Sequence, residues 1–394
     1  MYRKIMDFLE SWKRNEHRKP LILQGARQVG KTYSILEFGR THYENVAYFN
    51  FETNPKLNKT FEENISPDYL IPILSHIAGQ TIVREKTLIV FDEVQLCERA
   101  LTSLKYFCED APDYHIIVAG NLLGVAVNRT IFSFPVGKVD IKTLYPMDME
   151  EFMLALGEEN LVKQIKNCFH MNTPLPSALH DTAMQLYRQY LVVGGMPECV
   201  MQFVQTKDYI LVRHTQDTIL ASYLNDMSKY NNLNEIKKTR LAYDNITVQL
   251  SKKNTRFQYK LIKKGGRASE FENAIEWLCL SGIVSQVYKV EQIKKPLENY
   301  RDIDAFKIYV SDLGLLCAKK DLAANDILYM VEELNDFKGG MVENYVNVQL
   351  SINGYHTYFW ESARGAEIDF VIQRDGQLIP IEVKSADNTK AKSL

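Results

Sequence analysis

One segment, GARQVGKT, constrains the fold of this 394-residue chain more than any other feature of the sequence. It spans Gly25 to Thr32, has the spacing G-x-x-x-x-G-K-T, and lies between the apolar run LILQ and the helix-like stretch KTYSILEFG. Glycines at both ends let the backbone turn tightly, so that its N–H groups and the start of the helix face a phosphate group. The segment predicts an α/β domain with a phosphate-binding loop; the alternative is a chance match in a glycine-containing loop.

The residue types in this segment suit a magnesium nucleotide. Gly25 and Gly30 permit the tight turn, and Lys31 would reach the β- and γ-phosphates as a mobile positive charge. The hydroxyl group of Thr32 would be a ligand of Mg²⁺. ATP and Mg²⁺ are therefore the expected cofactors. The predicted nucleotide-binding residues are Gly25, Ala26, Arg27, Gln28, Val29, Gly30, Lys31, Thr32 and Tyr33.

A second apolar run, LIVFDE, ends in two acids, Asp92 and Glu93. Ligands of open parallel sheets bind at the edge formed by the carboxyl ends of the strands. We therefore expect Asp92 to hold Mg²⁺, directly or through water, and Glu93 to polarise the attacking water. The alternative is that both acids only begin the next helix, as its cap and first-turn acid.

A third apolar run, HIIVAG, is followed by Asn121. A polar side chain there can contact the γ-phosphate or orient the water, so Asn121 joins Glu93 and Lys31 as a predicted catalytic residue. The alternative is an ordinary turn residue. No arginine finger is identifiable, because Arg129 and Arg188 are each more typical of a solvated surface.

Composition places the chain among ordinary globular proteins. Hydrophobic residues make up 46%, charged residues 24%, and the formal net charge is −2, which excludes a wholly disordered, collagen-like or uniformly basic chain. The length predicts two or three domains. The longest uncharged apolar run, residues 116–128, is shorter than the roughly 20 residues of a membrane-spanning helix. Six scattered cysteines predict reduced thiols in a cytoplasmic protein and no zinc site.

The motifs GARQVGKT, LIVFDE, VAGNLLG and YPMDMEEF resemble the N-terminal half of a bacterial and archaeal family of AAA-type P-loop ATPases. The motifs YLVVGGMPE, SDLGLL and GGMVENYV resemble the C-terminal half of the same family, a domain of unknown function. The resemblance implies an ATP-binding core, a winged-helix-like middle and a C-terminal fold related to PD-(D/E)XK nucleases. Asn121 departs from the pattern, which has serine there. Relatives often form rings, so an oligomer is compatible with the resemblance.

These observations predict an α/β protein of four regions. Residues 1–155 would form the AAA-type P-loop ATPase domain, with a parallel sheet, and residues 156–230 a helical linker. Residues 231–300 would form a basic, winged-helix-like domain. Residues 301–394 would form a mixed α/β, nuclease-like domain, which is truncated or completed differently, since such a core normally continues with a helix and a strand, whereas ten residues follow Lys384.

The segment GAEIDFVIQRDGQLIPIEVKS predicts a β-hairpin that turns at residues 375–376. This turn places Asp369 opposite Glu382 and Glu367 opposite Lys384, all on one face. An apolar stripe occupies the other face. Two acids directly opposite each other repel, and a divalent cation would reverse that sign.

The resemblance gives these acids a role. Asp369 followed by Glu382-Val383-Lys384 is the D…E-x-K arrangement of nuclease sites, in which two acids hold the metal and the lysine steadies the water or the transition-state charge. Glu343, on a predicted helix, matches the helix acid of some members. The alternative is an exposed hairpin with a Glu367–Lys384 ion pair across the strands.

The stretch from residue 237 to 267 contains ten Lys or Arg residues and one acid, Asp244. Such a local excess predicts a surface that faces DNA phosphates; the alternative is a solvated charged face. A capping-box pattern at Ser269 begins the next predicted helix, and strand-like residues 282–290 and 305–312 would form a wing. The expected DNA-backbone contacts are Lys252, Lys253, Arg256, Lys260, Lys263 and Lys264.

Three functions are compatible with the sequence. The leading hypothesis is an ATP-binding and ATP-hydrolysing protein that couples its nucleotide state to a C-terminal domain that binds DNA or a protein partner. A second is a Mg²⁺-dependent DNA nuclease regulated by ATP. A third is a nucleotide switch without appreciable turnover. No membrane partner is expected.

Overall fold

The computed structural model describes residues 1–120, 134–229, 233–251, 256–362 and 364–385, and the chain forms two compact units. Unit 1 comprises Met1–Tyr145 with Leu280–Gly282, and unit 2 comprises Pro146–Cys279 with Ile283–Leu394. No helix within the described ranges is long and apolar enough to cross a membrane.

Unit 1 alternates strands with helices, as the apolar runs predict. Its elements in chain order are α1 (Ile5–Arg14), β1 (Leu21–Gln24), α2 (Lys31–His42), β2 (Asn45–Asn50), α3 (Lys56–Glu63), α4 (Pro67–Ala78), β3 (Thr87–Asp92), α5 (Glu98–Asp110), β4 (His115–Ala119) and β5 (Asp140–Thr143).

The five strands of unit 1 form a parallel sheet in the order β2-β3-β4-β1-β5. Every residue of β3 and β4 is buried, because both strands lie inside the sheet with helices available to cover its faces. The predicted α/β fold of the P-loop region is therefore confirmed. Strand β5 was not predicted, because its sequence, DIKT, is mostly polar. Its residues are partly or fully exposed, as is usual for an edge strand.

The core of unit 1 fills one side of this sheet with aromatic side chains. Phe49 and Phe91 come from neighbouring strands, and Phe51 and Phe61 pack against Phe91 with ring centroids 5.9 and 5.5 Å away. Burial of such rings contributes about 2–3 kcal/mol each. This packing fixes the position of β3, whose last residue is the Asp92 of the predicted site.

Unit 2 is helical through most of its first half and mixed in its second. Its elements in chain order are α6 (Met149–Ala155), α7 (Glu159–His170), α8 (Ser177–Val193), α9 (Pro197–Thr206), α10 (Tyr209–Lys229), α11 (Leu233–Leu250), α12 (Tyr259–Ile262), α13 (Ala268–Leu280), β6 (Val284–Val290), β7 (Arg301–Val310), α14 (Leu313–Lys319), α15 (Ala324–Tyr329), α16 (Asn335–Ile352), β8 (Tyr358–Glu361), β9 (Glu367–Arg374) and β10 (Gln377–Ile381).

The sheet of unit 2 is mixed, in the order β10-β9-β8-β6-β7, with β6 and β8 parallel and the other neighbours antiparallel. The predicted register of the last hairpin is confirmed, since Arg374 pairs with Gln377 across a turn in which Asp375 and Gly376 have φ of 48° and 73°. Strands β6 and β7, which were expected to form a wing, belong to this same sheet and do not stand apart from the C-terminal hairpin.

Two motifs of the C-terminal resemblance meet at Asp312, which is 2% exposed. Its carboxylate caps α14 and accepts the N–H group of Gly195 at 2.6 Å. A Cβ on Gly194, where φ is +75°, would lie 2.3 Å from this carboxylate, and one on Gly314 would lie 2.4 Å from a backbone carbonyl. The glycines of YLVVGGMPE and SDLGLL therefore permit a close backbone contact.

The motif GGMVENYV forms the part of α16 that packs on the sheet of unit 2. A Cβ on Gly340 would lie 2.0 Å from the carbonyl oxygen of Leu250, so the helix requires glycine there. The side-chain amide of Asn344 donates to the carbonyl of Val310 and accepts from its N–H, both at 2.8 Å. This buried amide satisfies the end of β7 as a further strand would.

Candidate functional site

The segment between β1 and α2 has the backbone shape that its glycines predict. Gly25 has φ of 149°, and a Cβ there would lie 2.1 Å from the carbonyl oxygen of Leu144. Gly30, the last residue of the loop, has φ of 91° and immediately precedes the first residue of α2. Gln28 adopts φ of 66°, a conformation that is strained for a residue with a side chain and that often marks functional loops.

The ammonium group of Lys31 lies against the loop itself. Lys31 is 6% exposed, and its Nζ donates to the carbonyl oxygens of Gly25 at 2.9 Å and Ala26 at 2.8 Å. Two carbonyl dipoles thus stabilise the positive charge inside the loop. A phosphate oxygen is a stronger partner for an ammonium group than a neutral carbonyl, so a phosphate can replace these contacts.

The N-cap residue of α2 is Gly30, which has no side chain with which to cap the helix. The first N–H groups of a helix lack partners within the helix, and the helix dipole places partial positive charge there. This end of α2 is consequently suited to an anion. Tyr33, which was also predicted to bind nucleotide, is 58% exposed in the first turn of α2.

The structure brings Thr32 and Asp92 together although they are 60 residues apart in sequence. The Thr32 hydroxyl group donates to Asp92 Oδ2 at 2.9 Å, and the hydroxyl group of Tyr48 donates to the same oxygen at 2.7 Å. The N–H group of Glu93 donates to Asp92 Oδ1 at 2.9 Å. One hydroxyl and one carboxylate are the oxygen ligands that a protein commonly offers to Mg²⁺, so these residues fit that ion.

Glu93 follows β3 in a left-handed conformation with φ of 53°. Its Oε2 accepts a hydrogen bond from Gln95 Nε2 at 2.5 Å. Burial raises the pKa of Glu93, the Gln95 hydrogen bond lowers it, and the neighbouring Asp92 raises it again. A half-buried carboxylate with a raised pKa is the kind of group that enzymes use as a general base.

Three residues near the loop and Asp92 were missed from the sequence. Tyr48 and Gln95 contact the two acids, and Arg3 supports the loop from the N-terminal segment. Arg3 is 6% exposed, and its guanidinium donates to the carbonyls of Val29 at 3.0 Å and Tyr145 at 2.8 Å. Of the three, only Gln95 lies close enough in sequence to a motif for a local pattern to suggest a role.

Asn121, the third predicted catalytic residue, lies outside the described residues, and so does Arg129, which was expected to be a surface arginine. Arg188 lies within α8 of unit 2. Among the other loop residues, Ala26 and Val29 are buried, whereas Arg27 and Gln28 are partly exposed.

The C-terminal acids gather in unit 2, where a lysine that the sequence analysis missed joins them. Lys307 on β7 is 1% exposed, and its Nζ lies 2.7 Å from Glu343 Oε1 and 2.6 Å from Glu367 Oε1. The Tyr309 hydroxyl group also donates to Glu343. The alternative interpretation, an ion pair between Glu367 and Lys384, is therefore wrong, because Glu367 pairs with Lys307.

The nuclease-like pattern itself lies beside this cluster. Strand β10 ends at Ile381, so the ladder stops before Glu382. Lys384 pairs with Glu382, and Asp369 Oδ2 accepts the N–H group of Val383 at 2.7 Å. Burial, opposed by the Val383 hydrogen bond and helped by the nearby charge of Glu343, raises the pKa of Asp369 to about 6. No metal-holding group of three or more acids, histidines or cysteines occurs in the part of the chain that the structure describes.

The basic stretch of unit 2 is partly paired with acids. Lys252 and Lys253 lie outside the described residues. The backbone of Arg256 forms an isolated antiparallel β-bridge with Lys307 of β7. Lys260, Lys263 and Lys264 are exposed. Lys263 forms an ion pair with an acid of α13 at 3.1 Å, which reduces the local positive charge.

Comparison with known families assigns the first part of the chain. Residues 17–153 match the model of an AAA domain. Residues 184–326 and 338–394 each match a domain of unknown function, DUF8612 and DUF4143 respectively. Lys31, Thr32 and Asp92 thus lie within the residues that match this AAA-domain model. Among curated proteins, none matches the sequence.

Solved structures resemble the chain at low identity. A Walker-type ATPase of Pyrococcus abyssi has 14% identity and a TM-score of 0.49, and the match covers 80% of this chain and 94% of that one. The ORC2 protein of Aeropyrum pernix has 12% identity and a TM-score of 0.41, with 89% and 95% covered. The RuvB branch-migration motor of Thermotoga maritima has 15% identity and a TM-score of 0.31, with 72% and 87% covered.

Proposed function

We propose that unit 1 binds Mg·ATP and hydrolyses it at the β–γ bond. The observation that carries the proposal is the 2.9 Å hydrogen bond between the Thr32 hydroxyl group and Asp92 Oδ2, since it joins the loop after β1 to the end of β3. Lys31 lies in that loop and Glu93 directly follows Asp92. The groups that must act on phosphates and on water therefore come from the same edge of one sheet, at the ends of β1 and β3.

Each side chain has a separate role in this reaction. The loop N–H groups and the start of α2 bind the phosphates, and Lys31 exchanges its two carbonyl contacts for phosphate oxygens. Thr32 and Asp92 would hold Mg²⁺, and when bound this ion would neutralise charge on the phosphates. Glu93 accepts a hydrogen bond from the attacking water and takes its proton. Asn121 keeps its predicted role as a γ-phosphate or water contact.

The same proposal assigns unit 2 the role of a DNA- or partner-binding part whose binding depends on the nucleotide state. The exposed Lys260, Lys263 and Lys264 support DNA as the partner, because such lysines contact phosphates without reading sequence. A winged-helix-like or nuclease-like identity of unit 2 and an oligomeric state stay predictions. A cytoplasmic location is proposed on the six free thiols.

The test is an ATPase assay combined with calorimetric titration of Mg·ATP. Lys31→Ala is expected to lose binding and turnover together. Glu93→Gln is expected to keep binding within about threefold and to lose turnover by at least roughly a hundredfold, the size typical of a general base. Lys56→Ala, an exposed lysine of α3, is the matched control and should behave as the parent.

Two outcomes would decide against hydrolysis by this site. An unaltered rate in Glu93→Gln would remove Glu93 from the reaction. Tight nucleotide binding by the parent without measurable turnover, with or without DNA, would instead support the nucleotide-switch hypothesis. No heat on titration of Mg·ATP into folded protein would end the proposal altogether.

A further inference from the structure

Lys307 occupies the centre of the acidic cluster in unit 2. It is 1% exposed, and its ammonium group contacts one carboxylate on α16, at 2.7 Å, and one on β9, at 2.6 Å. Its Nζ also lies 5.0 Å from the centroid of the Phe359 ring. A lysine is almost never buried to this degree unless it is paired, and here Glu343 and Glu367 are its partners.

The residues of this cluster do not fit a divalent metal ion. A single oxygen of Glu343, Oε1, accepts from both Lys307 and the Tyr309 hydroxyl group, and Glu367 Oε1 accepts from Lys307. The remaining two acids of the predicted site are engaged as well, Asp369 by a backbone N–H group and Glu382 by Lys384. A metal ion would have to share these carboxylates with their donors and lie close to a buried ammonium group of the same sign.

We propose that Lys307 is the resident cation of this cluster, and that the cluster binds no divalent metal. The nearby ammonium group supplies the positive charge that the acids require, and it joins β7, α16 and β9 in one ion-paired unit. Neither metal-dependent DNA cleavage nor metal-dependent regulation then takes place at Asp369 and Glu382. This inference concerns unit 2 and is independent of ATP hydrolysis in unit 1.

The first test measures thermal unfolding of the full chain in EDTA. Acids that await a metal repel one another, so removal of one charge from such a site raises Tm. Acids that neutralise a buried lysine do the opposite, because the ammonium group then loses its partner. We expect Glu343→Gln to lower Tm by roughly 5 °C or more. A rise in Tm would overturn the proposal.

Glu367→Gln is the second variant, because its carboxylate is 40% exposed and the protein should tolerate its loss if Glu343→Gln fails to fold. It should also lower Tm in EDTA. Asp244→Asn is the matched control, since Asp244 pairs with Lys319 at 2.6 Å and is 65% exposed. Exposed pairs contribute little, so this control should leave Tm nearly unchanged.

The second test measures Mn²⁺ binding by electron paramagnetic resonance, in the full chain carrying Asp92→Asn to remove the proposed metal ligand of unit 1. We expect no further stoichiometric Mn²⁺ site and no change on adding Asp369→Asn. A site that disappears with Asp369→Asn would overturn the proposal. So would Mn²⁺-dependent nicking of DNA by the parent that is lost in Glu382→Ala.

Discussion

At the scale of single residues, the most informative contact is the pair of hydroxyl groups on one oxygen of Asp92. Thr32 was expected near Asp92 because both belong to recognisable motifs. Tyr48 was not, because it lies in the middle of β2 and contacts Asp92 only through the pairing of β2 with β3. Burial raises the pKa of Tyr48 to about 12, so the phenol stays a hydrogen-bond donor at neutral pH. Sequence patterns report the spacing of residues along the chain. They do not show contacts between strands that are distant in sequence, such as the contact of Tyr48 with Asp92.

We predict that Tyr48→Phe weakens the use of Mg²⁺. The change removes one hydrogen bond to a carboxylate, which contributes about 1.5–3 kcal/mol, so the Mg²⁺ concentration for half-maximal turnover should rise roughly tenfold or more. Turnover measured across a Mg²⁺ titration checks this expectation. Tyr329→Phe, at an exposed tyrosine of α15, is the control and should behave as the parent. An unchanged Mg²⁺ curve for Tyr48→Phe would show that the hydroxyl group does not position Asp92.

Gln95 leads to a prediction about pH. Its hydrogen bond lowers the pKa of Glu93, so Gln95→Leu should raise that pKa further. A general base works in its ionised form, and a higher pKa means that the ionised form is lost sooner as pH falls. The acidic limb of the kcat–pH profile should therefore shift to higher pH in Gln95→Leu. A limb that stays in place or shifts to lower pH would contradict this role.

At the scale of elements, the shape of the phosphate-binding loop depends on its neighbour at the end of β5. Gly25→Ala would place a Cβ 2.1 Å from the carbonyl oxygen of Leu144, at a φ that disfavours any side chain. The loop must then move, and we expect Mg·ATP affinity to fall by more than about tenfold, which corresponds to 1.4 kcal/mol. Calorimetric titration measures the loss. Parent-like affinity would mean that the loop tolerates the shift.

Asp312 gives a prediction about stability. Its buried carboxylate accepts backbone N–H groups from two motifs, and burial raises its pKa to about 6 while those donors lower it. Asp312→Ala leaves the donors unpaired, so unfolding in urea should show a loss of about 3 kcal/mol or more in unit 2. The exposed Asp217 of α10 is the control, and Asp217→Ala should change stability by less than about 0.5 kcal/mol. A small effect of Asp312→Ala would show that water replaces the carboxylate.

The elements that sequence predicted are those whose signal is local. Strands β1 to β4 are apolar runs, and the last hairpin has an Asp-Gly turn that sets its register. The capping pattern was wrong by a small margin, because α13 begins at Ala268 and Ser269 is already helical. The Glu367–Lys384 ion pair, which was the alternative to a nuclease-like site, was wrong for a different reason. Its partner, Lys307, comes from a distant strand, and no local spacing indicates which strands become neighbours.

At the scale of the whole molecule, the proposed coupling of nucleotide and DNA is testable through charge. Replacing Lys260, Lys263 and Lys264 together by Gln should abolish or strongly reduce DNA stimulation of ATP hydrolysis, because phosphate contacts dominate non-specific binding. The basal rate should stay that of the parent. Stimulation should also fall steeply with added salt in the parent. If DNA does not stimulate the parent at all, a protein partner becomes the better hypothesis.

The division of the chain into units shows that local composition does not reliably predict domain boundaries. The sequence separates a basic region from the C-terminal hairpin, yet β6, β7 and the hairpin share one sheet. Strand pairing depends on contacts between residues far apart in the chain, and local composition does not predict these contacts. The parallel sheet of unit 1 could be predicted because its strands are short apolar runs separated by helical stretches, and two of them, β3 and β4, are buried on both faces.

The contacts of Lys31 also have a kinetic consequence. Two carbonyl groups of the loop accept hydrogen bonds from its ammonium group, so Lys31 and the loop backbone already form one ordered unit. An incoming nucleotide exchanges partners of one side chain and does not have to order a disordered segment. The association rate constant should then not be reduced by ordering of the loop. Differences in affinity among nucleotides should arise mainly from their dissociation rate constants.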